Sequence, residues 1–147
     1  MNQRFLHNRR IIRKANFNYS KPGIYFVTIN TYNKRKLLGS LTDSGIQLSK
    51  FGEIVETVWN TMPGLHVYLK LDEYVVMPNH FHALLHIKHN IESCPNGGVS
   101  SIVRDFKSST TRKINELRQT PGGRVWQRSY WDKIVYDTET LCRIREY

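Results

Sequence analysis

The chain has 147 residues, 39% of them hydrophobic and 12% aromatic, two cysteines and a formal net charge of +10 at pH 7. That length suits one domain, spanning 1–147, that buries about two thirds of its unfolded surface, and the apolar content excludes wholesale disorder. No apolar run approaches the ~20 residues of a membrane span, and the opening segment lacks a leader pattern, so an intracellular, cytoplasmic protein without membrane partners is expected.

In chain order, residues 1–20 read as a basic arm that ends at the turn signal Ser20-Lys21-Pro22-Gly23. The aromatic and β-branched run Ile24–Tyr32 predicts a strand, and Asp43-Ser44-Gly45 predicts the turn of a small hairpin. Ser49 is placed to cap a helix over Lys50–Met62, where Ile54, Val55, Val58 and Trp59 recur at helical spacing and Pro63-Gly64 supplies a stop. His66–Met77 predicts a second strand, with Val67, Leu69, Leu71, Val75 and Met77 on one side, interrupted by Glu73. A Pro78-Asn79 turn leads into "HFHALLHI", the third strand.

A helix from about Ser100 to Leu117 follows, with Ile102, Val103, Phe106, Ile114 and Leu117 as its apolar side. "VWQRSYWDKIV" predicts a fourth strand. Thr138–Tyr147 predicts a last helix, capped by Asp137 or Thr138, with Leu141 and Ile144 inward. The order βαββαβ plus a terminal helix is that of a ferredoxin-like α+β fold, an antiparallel sheet with two helices on one face.

The positive charge is concentrated in two blocks. Arg4, Arg9, Arg10, Arg13 and Lys14 lie in residues 1–14 with no acid. Residues 99–128 hold Arg104, Lys107, Arg112, Lys113, Arg118, Arg124 and Arg128 against Asp105 and Glu116, while the remainder balances at ten against ten. Clustering of this kind favours a polyanionic partner. Cys94 and Cys142 belong to no paired motif and are expected to be reduced and structural.

The third strand carries the chemistry. Side chains alternate along a strand, so His80 and His82 project together, ~6.6–7 Å apart along the backbone, and two imidazoles can converge across that gap on one cation. Asn79 is expected to point away from them. His86 shares the face but lies ~13 Å further on. A two-residue Pro78-Asn79 turn would set Met77 opposite His80 and Val75 opposite His82, placing apolar residues on the histidine face. Either the turn is longer or the final helix covers part of that face. By itself, H-x-H is a weak motif.

The stretch "YVVMPNHFHALLHI" resembles the HUH single-tyrosine transposases, particularly the REP-associated tyrosine transposases, with His80-Phe81-His82 as the His-hydrophobic-His element. "RRIIRKANFNYSKPGIYFVTINTYNKRKLLGSL", "VSSIVRDFKSSTTRKINEL" and "VWQRSYWDKIVYDTETLCRIREY" extend the likeness over nearly the whole chain in the same order. The resemblance implies nicking and rejoining of single-stranded DNA at hairpin-bearing sites in the bacterial nucleoid. His80 and His82 would ligate Mg²⁺ or Mn²⁺, and a tyrosine would form a 5′-phosphotyrosine. Among Tyr130, Tyr136 and Tyr147, the family's pattern selects Tyr147. Arg104, Lys107, Ser108 and Arg112 on the second helix, with Arg9, Arg10, Arg13 and Lys14 in the arm, are the expected DNA contacts. Trp126, Tyr130 and Trp131 offer either base stacking or core packing, with packing favoured.

In relatives a polar residue one turn past the tyrosine completes the metal site, and this sequence stops at Tyr147. The expectation is that the sequence is a fragment or that another side chain serves. Related transposases include dimers, so a homodimer is an open alternative. A domain that holds structured nucleic acid without cutting it is the main competing reading. A zinc hydrolase ranks last, because no carboxylate is placed as a base beside the histidine pair.

Overall fold

The computed structural model describes residues 22–88 and 97–146. They form β1 (Gly23–Asn30), a 3-10 turn (Tyr32–Lys34), β2 (Gly39–Thr42), β3 (Gly45–Leu48), α1 (Lys50–Leu65), β4 (Leu69–Met77), β5 (His80–Ile87), α2 (Val99–Arg118), β6 (Trp131–Val135) and α3 (Thr138–Glu146). The main sheet is antiparallel throughout, in the order β4-β5-β1-β6. With α1 and α2 on one face, this is the ferredoxin-like arrangement the sequence predicts. The basic arm with Arg9, Arg10, Arg13 and Lys14, as well as Cys94 and Tyr147, lie outside the described residues.

Alternation along β1 and β5 makes the core. Tyr25, Val27 and Ile29 are fully buried and stand opposite Leu85, Ala83 and Phe81. Against them α1 brings Val55, Val58, Trp59 and Met62, and α2 brings Ile102, Val103, Phe106 and Ile114. Trp59, Phe81 and Phe106 pack as a triangle with centroid distances of 5.0, 5.3 and 4.9 Å. Burying each such ring contributes about 1.5–3 kcal/mol. Ser49 caps α1 as expected, its hydroxyl accepting from Gly52 N at 3.1 Å. Asp137 caps α3, accepting from Thr140 N at 2.7 Å.

Four features depart from the sequence reading. First, α1 runs through Pro63 to Leu65, because a proline in the last turn forfeits only one backbone bond and His66 N still donates to Met62 O. Second, β4 begins at Leu69 and carries a bulge between Leu71 and Tyr74. Asp72 and Glu73 together oppose Leu84, which reverses the parity beyond them. Leu69 and Leu71 therefore face the helices, whereas Val75 and Met77 share the histidine face and Val67 is exposed.

Third, β6 is only Trp131–Val135, with Trp126 bridging to Thr31 in isolation. Lys107 Nζ draws the carbonyls of Gln127 and Ser129 toward α2, at 2.8 and 3.0 Å, so no ladder forms there. Fourth, Leu117 is about half exposed at the end of α2 rather than part of its buried side.

Candidate metal centre and nucleic-acid interface

The face of the sheet turned away from α1 and α2 carries the histidines. The two-residue Pro78-Asn79 turn is real, so Met77 stands opposite His80 and Val75 opposite His82. Across the four strands, Val75, His82, Thr28 and Trp131 form one row, and Met77, His80 and Asn30 form the next. The His80 and His82 rings lean together, with centroids 4.4 Å apart, closer than the backbone spacing alone would give.

Both rings are held through Nδ1. His80 Nδ1 donates to Asn79 Oδ1 at 2.7 Å, and His82 Nδ1 lies 2.8 Å from Thr28 Oγ1. Asn79 thus turns toward His80 and not away from it, because strand parity does not extend into a turn residue. With Nδ1 of His80 carrying the proton, its Nε2 holds the lone pair, the form in which imidazole ligates metals, whereas the Thr28 hydroxyl can serve either tautomer of His82. Phe26 stacks on His82 at 5.3 Å and fixes the ring plane. Burial lowers the pKa of His80. Burial, with the neighbouring His80 ring, pushes His82 down to about 4. Both rings are therefore neutral at physiological pH. The pair fits a divalent cation in charge and spacing. Among the described residues, no group of three or more His, Cys, Asp or Glu side chains converges on such a centre.

The face is closed in part by α3. Ile144 and Arg145 border a small cleft together with Phe26, Glu73, Val75 and His82. Leu84, on the same face, is 1% exposed. Of the two alternatives left open by the sequence, coverage by the final helix is correct. Arg145 grips Asp72 with two guanidinium nitrogens, at 3.1 and 2.5 Å, and His86 Nε2 lies 2.7 Å from the same carboxylate. His86 is thereby engaged apart from the histidine pair.

A separate open groove of about 1170 Å³ lies between α2, the 3-10 turn and the 121–129 loop. Lys107, Arg112, Arg124 and Arg128 line it against one acid, Glu116. Ser108 lines it too, but Arg104 does not, and Arg104 Nε bonds Asp105 at 3.2 Å. Burial pushes Lys107 down to about 8, and its ammonium also lies 5.8 Å from the Tyr130 ring. Lys107 therefore ties the loop to α2 while bordering the groove. Arg124, held 5.3 Å from the Tyr32 ring, and Arg128 are groove residues that sequence reasoning does not single out. The groove abuts the histidines, since Gln127 N donates to Asn30 O and Asn30 is the cross-strand partner of His80.

The aromatic candidates separate. Trp126 is core, its indole donating to Thr110 Oγ1 at 2.8 Å, and Tyr130 packs at the core edge. Trp131 is 52% exposed in the His82 row. His66 is buried at the end of α1, bonded to Tyr68 and 2.9 Å from Asp105, which makes it a structural tie. Cys142 is free and exposed on α3, not a structural thiol. Tyr136 is also exposed.

Comparison with known proteins is decisive for the family. The model of IS200-like transposases matches residues 64–147, from the end of α1 through the histidine pair to the last residue. The chain belongs to the IS200-like transposase family. This transposase-family chain is 34% identical over 161 residues to an uncharacterised protein of Haemophilus influenzae, covering 97% of the chain and 87% of the relative.

Its fold matches a REP-associated tyrosine transposase solved bound to a REP hairpin, with TM-score 0.65 and 19% identity, covering 92% of this chain and 69% of the other. It also matches a candidate transposase of Deinococcus radiodurans, with TM-score 0.57 and 18% identity, covering 92% and 95%. Among the described residues, no helix is long and apolar enough to cross a membrane.

Proposed function

We propose that this transposase-family protein nicks and rejoins single-stranded DNA beside a hairpin, through Tyr147 and a divalent ion, Mg²⁺ or Mn²⁺, held by His80 and His82. The observation that supports this most is the convergence of two neutral imidazoles, each fixed through Nδ1. A divalent ion so held supplies Lewis-acid stabilisation of the charge that builds up on a scissile phosphate.

The protein's own groups do the rest. Asn79 holds His80 in the ligating tautomer, Thr28 orients the His82 ring, and Phe26 keeps His82 from rotating. The Tyr147 phenol, with an ordinary pKa of about 10, must give up its proton to a base or water as its oxygen attacks phosphorus. A tyrosyl–phosphorus bond forms while the bond to the 3′ oxygen breaks, and that oxygen leaves as a hydroxyl after taking a proton. One phosphodiester replaces another, so attack by a different 3′-OH reverses the step without ATP.

The basic groove, with Arg112, Arg124 and Arg128, suits the phosphates of a hairpin stem or flanking strand. Trp131, exposed in the His82 row, offers a stacking face to an unpaired base. The relative bound to a REP hairpin makes hairpin DNA the substrate to try first.

The test is an oligonucleotide carrying a hairpin and a single-stranded flank, incubated with the protein and Mn²⁺ and run on a denaturing gel. A covalent protein–DNA adduct that disappears with chelator and in Tyr147→Phe is the expected result. Tight, salt-sensitive binding without any adduct would make the protein a DNA-holding module instead.

A further inference from the structure

We infer that Asp72 is a positioning residue: through Arg145 it clips α3 onto the histidine face and so sets where the chain delivers Tyr147. This rests on the reading that Tyr147 is the nucleophile.

Among the described residues, α3 has few other holds. None of its residues from Thr138 to Glu146 is buried. Leu141 and Ile144 are half-buried, and its remaining described side chains are mostly exposed. Arg145 reaches back 73 positions in sequence to Asp72 with both Nε and a terminal nitrogen, the forked geometry in which guanidinium binds carboxylate most strongly.

The acid is prepared for this contact. The β4 bulge sets two residues, Asp72 and Glu73, against the single Leu84, on the face that carries His82 and His86. Bulges re-aim side chains in this way. The Asp72 side chain is only 11% exposed, accepts from Glu73 N at 2.7 Å and meets His86 Nε2 at 2.7 Å. Both of these contacts, to Glu73 N and His86 Nε2, come from the sheet itself. An exposed ion pair would contribute little, but this one joins a largely covered acid, held by Glu73 N and His86, to a helix without a buried residue. Ile144, next to Arg145, borders the cleft with Phe26, Val75 and His82, so the clip acts at the turn nearest the proposed metal ligands.

Cys142 provides a probe on α3 itself. In a Cys94→Ser background, a nitroxide on Cys142 reports helix mobility, and the rate of adduct formation with a hairpin oligonucleotide reports positioning. In Asp72→Asn and in Arg145→Ala, the label is expected to move faster and the adduct rate to fall about 10- to 100-fold, as small misplacements of a reacting group do. Oligonucleotide affinity in Asp72→Asn is expected to stay unchanged. The double variant should lose no more than the worse single, because both substitutions break the same ion pair.

Label motion and adduct rate equal to those of the unsubstituted background in both variants would overturn the clip. Should Asp72→Asn fail to fold, Arg145→Ala, altered at a half-exposed side chain, decides the question. If the background protein forms no adduct, the catalytic reading falls while label mobility still tests the clip.

Discussion

The two faces of β5 use the same strand for opposite ends. Phe81, Ala83, Leu85 and Ile87 are 0–2% exposed and pack into the core beneath α1 and α2. Of the alternate residues, Leu84 is 1% exposed, whereas His80, His82 and His86 are half-buried on a face that α3 covers only in part. Neighbouring positions one residue apart therefore divide into stability and chemistry. The residues of β5 on the sealed face are all apolar, whereas the other face keeps the imidazoles half-buried, neutral and oriented by Asn79 and Thr28. A site built this way inherits its rigidity from the core behind it, while α3 meets it through half-buried side chains and the Arg145–Asp72 pair.

Substitution at three consecutive positions tests that division. Phe81→Ala should cost about 3–5 kcal/mol of unfolding free energy in a denaturant titration, the usual cost for a buried aromatic, with adduct formation per folded molecule retained. His80→Ala or His82→Ala should do the reverse. Adduct formation should drop about 100- to 1000-fold, several kcal/mol of transition-state stabilisation, while folding stability changes by less than about 1 kcal/mol. Equal stability losses at all three positions would show that the histidine face is simply a second core.

Acid titration separates the faces further. The folded His82 imidazole sits at about 4, below the ordinary 6.5, because burial and the His80 ring disfavour its charged form. The unfolded chain takes up that proton first, so this contribution is complete above pH 6.5 and is lost as pH falls through about 4. Its size, discounted for partial exposure, is about 1–2 kcal/mol. His82→Ala should flatten the stability profile in that window, read from thermal melts at several pH values. The smallest effects belong to the groove. Arg112→Ala and Arg128→Ala should each weaken oligonucleotide binding and reduce the slope of log affinity against log salt by about 1 for each phosphate left without its cation.

Much of this is legible in the sequence because the relevant signals are local. Period-two alternation in "HFHALLHI" separates His80 and His82 from Phe81 and Ala83, and the register agrees. Ser49 and the helical spacing after it mark α1.

What the sequence hides depends on contacts between distant segments. The β4 bulge leaves only two acids in an apolar strand as its trace, so simple alternation assigns Val75 and Met77 to the wrong face and gives Asp72 no role. Nothing local pairs Asp72 with Arg145, which meet only because α3 folds back over the sheet. Arg124 and Arg128 count only as charge in the sequence. They line the groove once Lys107 has drawn the loop after Pro121-Gly122-Gly123 against α2.

The most direct measurement is pulsed electron paramagnetic resonance of Mn²⁺ added to the protein with a hairpin-bearing oligonucleotide. Nuclear modulation from two imidazole nitrogens is expected, reduced to one in His80→Ala or His82→Ala and unchanged in Phe81→Leu. Bound Mn²⁺ without nitrogen modulation, or with modulation indifferent to both histidine substitutions, would contradict the assignment of this face as the metal centre.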